Sequence, residues 1–415
     1  MHIRFFHAIV GIVLSCCITP VSFAADPVKL AVIVSLSGPF ALSGQETIKG
    51  FQGIADLVNA KGGVLSGRKL EIVPLDGKAN PQDSVLALIQ AIDQSITFVA
   101  TTTSSVTHAL SAAIAQHNAR NPERRVLLLD YDARDPALTE AKCNFWHFRF
   151  VQHTDTEMNF LTDYLASRKE MTKVHLINQD YAYGQSVSKA AKEMLAKKRP
   201  DIQIVGDDLI PLGKVKDFAP YVAWIRAADA DSVITGNWGN DLFLLLKAGH
   251  QSGLNVHYYS LVPFTAGTAT AIAGAGVDRL TGVFAWHANA EPNPYSKYNA
   301  EFKAKYKAIG NFDHIQSIRT VEMLVQAIDK ALSTDALKVA YKLEGMHYNG
   351  PSGDSWMRAE DHQMIVPVYL ANFVKAGQPG VKFDLENTGF GWKNEAKVEA
   401  KDAVPAMRCK MERPE

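Results

Sequence analysis

The sequence predicts an α/β protein of two lobes, each built on a parallel sheet, and three observations carry that expectation. Short apolar strands alternate with amphipathic helices from residue 29 to residue 129. The same rhythm starts again near residue 145 and runs to residue 286. A chain of 415 residues is long enough to bury two cores. Strands separated by helices pair in parallel, because the helix supplies the crossover and then covers a face of the sheet.

Taken in order, Lys29 to Ser35 (K-L-A-V-I-V-S) is an apolar run of buried-strand composition. The loop Leu36 to Gly44 leads into a helix from about Gln45 to Lys61, with Ile48, Phe51, Ile54, Ala55 and Val58 on one face and Gly62-Gly63 as its stop. Leu70 to Leu75 is the second strand, and Asn80-Pro81 caps the next helix. Ile96 to Ala100 is the third strand, Val106 to Asn118 a helix and Val126 to Leu129 the fourth strand. Phe145 to Phe150 then reads as an extended crossing segment. In the second half, strands are expected at 173–178, 202–209, 232–235, 256–259 and 281–286, with helices at 154–167, 184–198 and 241–251. From Pro294 the pattern is helical, Asn349 to Gln363 is a turn region, and Val366 to Phe373 is a last strand. Lys375 to Glu415 has little periodicity and is expected to pack irregularly or as an arm.

Charge and composition narrow the function. Lys plus Arg and Asp plus Glu balance at 43 each, so no basic surplus points to nucleic acid. Residues 1–24 have the layout of a secretory signal peptide: His2 and Arg4, an apolar run from Ile9 to Ile18, and Ser22-Phe23-Ala24 before the cut. Val13-Leu14-Ser15-Cys16 also resembles a lipoprotein processing site, the less favoured alternative. Export leaves Cys143 and Cys409, an even count that permits one disulfide in an oxidising compartment; two separate thiols are the alternative.

Catalytic patterns are missing. The chain has no G-x-S-x-G elbow, P-loop or H-E-x-x-H, and no G-x-G-x-x-G after a strand. His108 and His117 cannot share a helix face at metal-ligand spacing. No cofactor or metal is therefore expected, and the chain is not expected to be an enzyme. One stretch does suggest binding. After the strand at 96–100 come Thr101, Thr102, Thr103, Ser104 and Ser105, and then a helix. A helix start offers free N–H groups and the positive end of the dipole, which suit a carboxylate. One cap needs one hydroxyl, and this turn has five.

Several fragments, in order, resemble the branched-chain-amino-acid type of periplasmic solute-binding protein of ABC importers. They are Leu36-Ser-Gly-Pro-Phe40 with Gly44, Asp76, the Thr101–Ser105 run, Asp135-Pro-Ala-Leu-Thr139, Phe148-Arg149, Asp180-Tyr-Ala-Tyr-Gly184-Gln185 and Gly350-Pro-Ser-Gly353. The resemblance implies two Rossmann-like lobes joined by three hinge crossings (the type I arrangement), a small solute in the cleft, and delivery to an ABC permease in the inner membrane. It gives lobe 1 as 25–146 plus 287–361, lobe 2 as 147–286 plus 362–400, and a tail at 401–415. A monomer is expected. A periplasmic sensing module for a signalling partner is the alternative.

Residue by residue, the resemblance places Thr101, Thr103 and Ser104, with Thr102 in the same turn, at the ligand carboxylate. It adds a side chain of the first loop near Leu42 or Ser43, and Asp132, Ala133 and Arg134 from the loop after the fourth strand. From lobe 2 it adds Tyr183 and Trp238. The sequence departs from the pattern at one place. Amino-acid binders carry an acid where this chain has Leu261-Val262-Pro263-Phe264, so an ammonium would need Asp132 or Asp241. Arg134, the hydroxyl turn, Trp238 and Phe264 would suit an organic acid with a flat or apolar body.

Overall fold

The computed structural model describes residues 26–276, 279–312 and 314–414. The expected signal peptide, with Cys16, lies outside the described residues.

The first sheet has the order β2-β1-β3-β4-β5 and is parallel throughout. Its strands are β1 (Val28–Val34), β2 (Leu70–Asp76), β3 (Phe98–Thr101), β4 (Leu127–Asp130) and β5 (His147–Arg149). Between them run α1 (Ala41–Ala60), α2 (Pro81–Asp93) and α3 (Ser104–Arg120). Strands β3 and β4 are buried along their whole length, as central parallel strands must be, which is why they read as unbroken apolar runs. Helix α2 starts where the sequence says: the Asn80 side chain accepts from the N–H groups of Gln82 and Asp83, and Pro81 occupies the first turn.

The second lobe holds α4 (Thr154–Leu165), β6 (Lys173–Gln179), α5 (Ala182–Lys198), β7 (Gln203–Ile210), α6 (Ala219–Ala227) and β8 (Ser232–Thr235). It continues with α7 (Gly239–Gln251), β9 (His257–Ser260), α8 (Thr268–Gly274) and β10 (Leu280–Phe284). The chain then returns to the first lobe as α9 (Asn299–Tyr306), α10 (Ile315–Ala331) and α11 (Ala336–Leu343). A small sheet follows, β11 (His347–Gly350), β12 (Gly353–Met357) and β13 (Met364–Ile365). Last come β14 (Val368–Lys375) and β15 (Phe390–Val398), antiparallel to their neighbours at one edge of the seven-stranded sheet β15-β14-β10-β9-β8-β6-β7.

The chain thus passes between the two large sheets three times: after β5, after β10 and before β14. Strand β5 pairs with β4, so residues 147–149, assigned above to lobe 2, belong to the first sheet. The crossings are fastened to one another. Arg149 donates from Nε to Oε1 of Gln363 at 2.7 Å, and Gln363 donates to the carbonyls of Val151 and Met364, each at 2.7 Å. Arg319 of α10 donates to the carbonyl of Phe150 at 2.8 Å.

Helices α6 and α8 lie where no helix was expected, and two further regions differ from the expectation. The turn region at 349–363 contains the β11–β12 hairpin, and the tail expected to be irregular contains β15. Strand β15 is an outer edge, so one of its faces is polar, and the register shift opposite Leu370/Ala371 breaks its alternation midway. Beyond β15 the tail crosses to the first lobe, where Cys409 forms a disulfide with Cys143 across a separation of 266 residues.

Candidate functional site

Ligands of open α/β sheets bind beyond the carboxyl ends of the strands. Here the two sheets point those ends at each other, and a cavity of about 180 Å³ lies between them. A water needs only roughly 10–15 Å³ by the same measure, so the space fits a small solute.

Two glycines let the helices approach. A Cβ on Gly44 would lie 1.9 Å from the carbonyl oxygen of Ser35, and one on Gly184 would lie 1.8 Å from that of Gln179. No side chain fits at either place, so the first turns of α1 and α5 sit directly on the ends of β1 and β6. The loop after β1 is pinned by Asp76, whose carboxylate accepts from the Leu36 N–H at 2.9 Å and the Ser37 hydroxyl at 2.6 Å. This holds Ser43 and Phe40 at the cavity.

The hydroxyl turn divides in role. Thr102, Thr103 and Ser104 line the cavity. Thr101 does not: it is fully buried and its hydroxyl donates to the carbonyl of Ile33 at 3.3 Å. Thr103 has φ 69° and ψ 110° and gives α3 no side-chain cap. A β-branched residue there is strained, and such strain gathers at binding sites. The amides of the first turn of α3 have no acceptor within the helix and open on the cavity end. Ser104 Oγ accepts from the N–H groups of Arg134 at 3.2 Å and Asp135 at 3.1 Å, tying this turn to the loop after β4.

In that loop, Asp132 and Arg134 line the cavity. Ala133 is buried behind them, its N–H given to Asp130 Oδ1 at 2.6 Å. Arg134, expected above as an anion binder, is not a free cation. Its Nη2 donates to Asp132 Oδ1 at 2.6 Å, and its Nη1 donates to Glu157 of α4, across the two lobes. Burial disfavours the Arg134 cation, but the two carboxylates outweigh it and raise its pKa. Burial pushes Glu157 up to about 8, with Arg134 only partly offsetting it. Burial also raises Asp132, partly offset by Arg134.

Lobe 2 contributes rings. Tyr181, Tyr183, Trp238 and Phe264 line the cavity. Trp238 Nε1 donates to the Tyr181 hydroxyl at 2.9 Å, and the Trp238 ring meets Phe40 of lobe 1 with centroids 4.2 Å apart. The guanidinium of Arg134 lies 5.3 Å from the centroid of Phe264. Tyr131, Tyr181, Phe40 and His314 also reach the cavity but were not among the sequence candidates. Tyr181 and Phe40 lie inside the fragments that carried the resemblance, so their neighbours were a usable signal. Glu157 was missed too, because nothing local marks a helix residue that meets an arginine of the other lobe.

Two sheets facing across a cavity, hinged at three crossings and lined by polar groups on one side and rings on the other, define a two-lobed solute receptor. The chain belongs to the periplasmic binding protein family, whose model matches residues 27–378. It is 28% identical over 402 residues to Leu/Ile/Val-binding protein homolog 4 of Brucella abortus (strain 2308), with 94% of each chain covered. It is similar to the closed-conformation crystal structure of a leucine-, isoleucine-, valine-, threonine- and alanine-binding protein from Brucella ovis. That match has a TM-score of 0.77 and 25% identity, covering 94% of this chain and 100% of that one. A Rhodopseudomonas palustris BisB5 solute-binding protein, solved with 3,4-dihydroxybenzoic acid, shares the fold at a TM-score of 0.74 and 16% identity, covering 90% of this chain and 98% of that one. The chain is of the branched-chain-amino-acid ABC type, a periplasmic solute-binding protein from a family of non-enzymes. Among the described residues no helix is long and apolar enough to cross a membrane.

Proposed function

We propose that the protein is the receptor of an ABC importer. It binds a small carboxylate-bearing solute between its lobes and hands it, as a monomer, to a permease in the inner membrane. The observation that carries this reading is the hydroxyl-rich start of α3, with Thr103 held at φ 69°, opening on a cavity whose far wall is aromatic. Helix-terminal amides take the carboxylate, Thr102, Thr103 and Ser104 add hydroxyls, and Tyr183, Trp238 and Phe264 cover the apolar body. Closure over the solute gives the permease a shape to read.

Thermal unfolding against a panel of amino acids, aromatic acids and small amides tests this. A true ligand at about 100 times its Kd adds about 2.7 kcal/mol of stability, a shift of several degrees. Mass spectrometry of small molecules released from gently purified protein would name the solute. A panel without any shift, from protein carrying no bound molecule, would sink the proposal.

A further inference from the structure

We propose that the protein has a second binding site, apart from the cleft, for a small organic amine that also carries a hydrogen-bond acceptor such as a hydroxyl. A cavity of about 330 Å³ lies where the first lobe, α4 and the C-terminal tail meet, and none of its lining residues lines the cleft cavity. The site is therefore independent of what the cleft holds.

Three parts of the chain build its walls. Lobe 1 supplies Glu140, three residues before Cys143. Helix α4 supplies Thr156, Asn159, Phe160 and Asp163, which recur every three or four residues and so share one face. His153 and Asp155 stand at the start of the same helix. The tail supplies Asp402 and Arg408, and the bond from Cys409 to Cys143 fixes that segment beside Glu140.

Charge points to a cation. Four carboxylates line the cavity against a single Lys or Arg among the described residues, Arg408. Asp163 pairs with Lys198 at 2.6 Å and Glu140 with Arg408 at 3.5 Å. The carboxylates of Asp155 and Asp402 have no partner among the described residues. Burial raises the pKa of Asp155 and Glu140, and Arg408 offsets only part of it, so a cation in the cavity would favour their charged forms. Among the described residues no three His, Cys, Asp or Glu side chains are grouped as a metal ion requires. Negative charge spread in this way suits an extended amine.

His153 supplies the demand for an acceptor. It is 2% exposed, and its Nδ1 accepts from the Asp155 N–H at 3.2 Å. Burial, and after it Arg149, holds its pKa well below the usual range, so the neutral ring carries its proton on Nε2. That N–H has no partner among the described residues and keeps an opening to the cavity that His153 lines. A buried donor left unpaired is costly, and a ligand oxygen would satisfy it. Phe160, Met194 and Val398 offer apolar surface to the carbon chain between amine and oxygen.

Saturation-transfer NMR titrations with four matched probes test the site: 5-aminopentan-1-ol, pentylamine, pentane-1,5-diol and 5-hydroxypentanoate. The amino alcohol should bind most tightly, roughly tenfold more tightly than the diol, with pentylamine between them and the anion last. Asp155→Asn and Asp402→Asn, each verified as folded by circular dichroism, should each weaken the amino alcohol roughly fivefold. Asp402 is exposed, so its substitution leaves packing intact. Binding of the diol or the anion as tightly as the amino alcohol, or no binding by any probe, would overturn the site. Unchanged binding in both variants would do the same, because the amine would then be held elsewhere. Equal binding of pentylamine and the amino alcohol would overturn the part given to His153.

Discussion

Arg134 and Arg149 are both buried in lobe 1, at 2% and 0% exposure, and they face opposite requirements. Among the described residues Arg149 meets no carboxylate directly. It donates to Gln363, to Thr139 and to the carbonyl of Asp135, all of them fixed parts of the hinge, and burial lowers its pKa. Arg134 meets two carboxylates, one of them from the other lobe, and its Nε has no hydrogen-bond partner among the described residues. A cation saturated by rigid acceptors works as a fastening. Arg134, with one of its partners on a helix of the other lobe, instead sits where the two lobes meet at the cavity.

The largest effect should come from Arg149→Met. It strips donors from several buried acceptors at once and should cost about 3–5 kcal/mol in urea unfolding. Arg134→Met should cost less, about 1–3 kcal/mol, because burial already raises the pKa of both partners, Glu157 and Asp132, and favours their uptake of a proton once the cation is gone. Equal losses in the two variants would break the distinction between them.

Glu157→Gln sharpens the comparison through pH. The folded state holds the Glu157 proton up to about 8 against an ordinary value of 4.5. The folded state therefore binds more protons than the unfolded one between those values, and stability falls as pH rises through that window. The contribution is fully present below about 4.5. Unfolding measured from pH 4 to pH 9 should show a shallower fall in Glu157→Gln than in the unaltered protein; parallel curves would place the titration elsewhere. The smallest effect is expected at the rim. Phe40→Ala removes the ring that meets Trp238 across the lobes and should weaken ligand binding by about fivefold, or about 1 kcal/mol, without altering Arg149 or its hinge.

How much of this was legible in the sequence follows the same division. The strand–helix rhythm and the Asn80-Pro81 cap are local, and they read correctly. The hydroxyl turn was legible as a place, because five adjacent hydroxyls exceed what a cap needs. The separate fates of its members were not: whether Thr101 points into the sheet or into the cavity depends on the pleat and on where Ile33 lies. Arg134 was visible as a cleft residue, but its partner Glu157 sits on a helix of the other lobe and carries no local mark. Strand β15 was hidden because one face meets solvent and a bulge interrupts its alternation.

The disulfide has a mechanical consequence. Strand β15 belongs to the second sheet, whereas Cys143 precedes β5 in the first, so the bond to Cys409 makes the tail a fourth covalent strap between the lobes. The strap is drawn in further where Arg358 donates to the carbonyl of Pro405 at 2.8 Å. It shares neither residues nor chemistry with the cleft. A reductant would act on it as on a tether, lengthening the travel of the lobes while leaving the grip on the solute as it was. The radius of gyration of the ligand-free protein in solution, with and without reductant, would measure that slack.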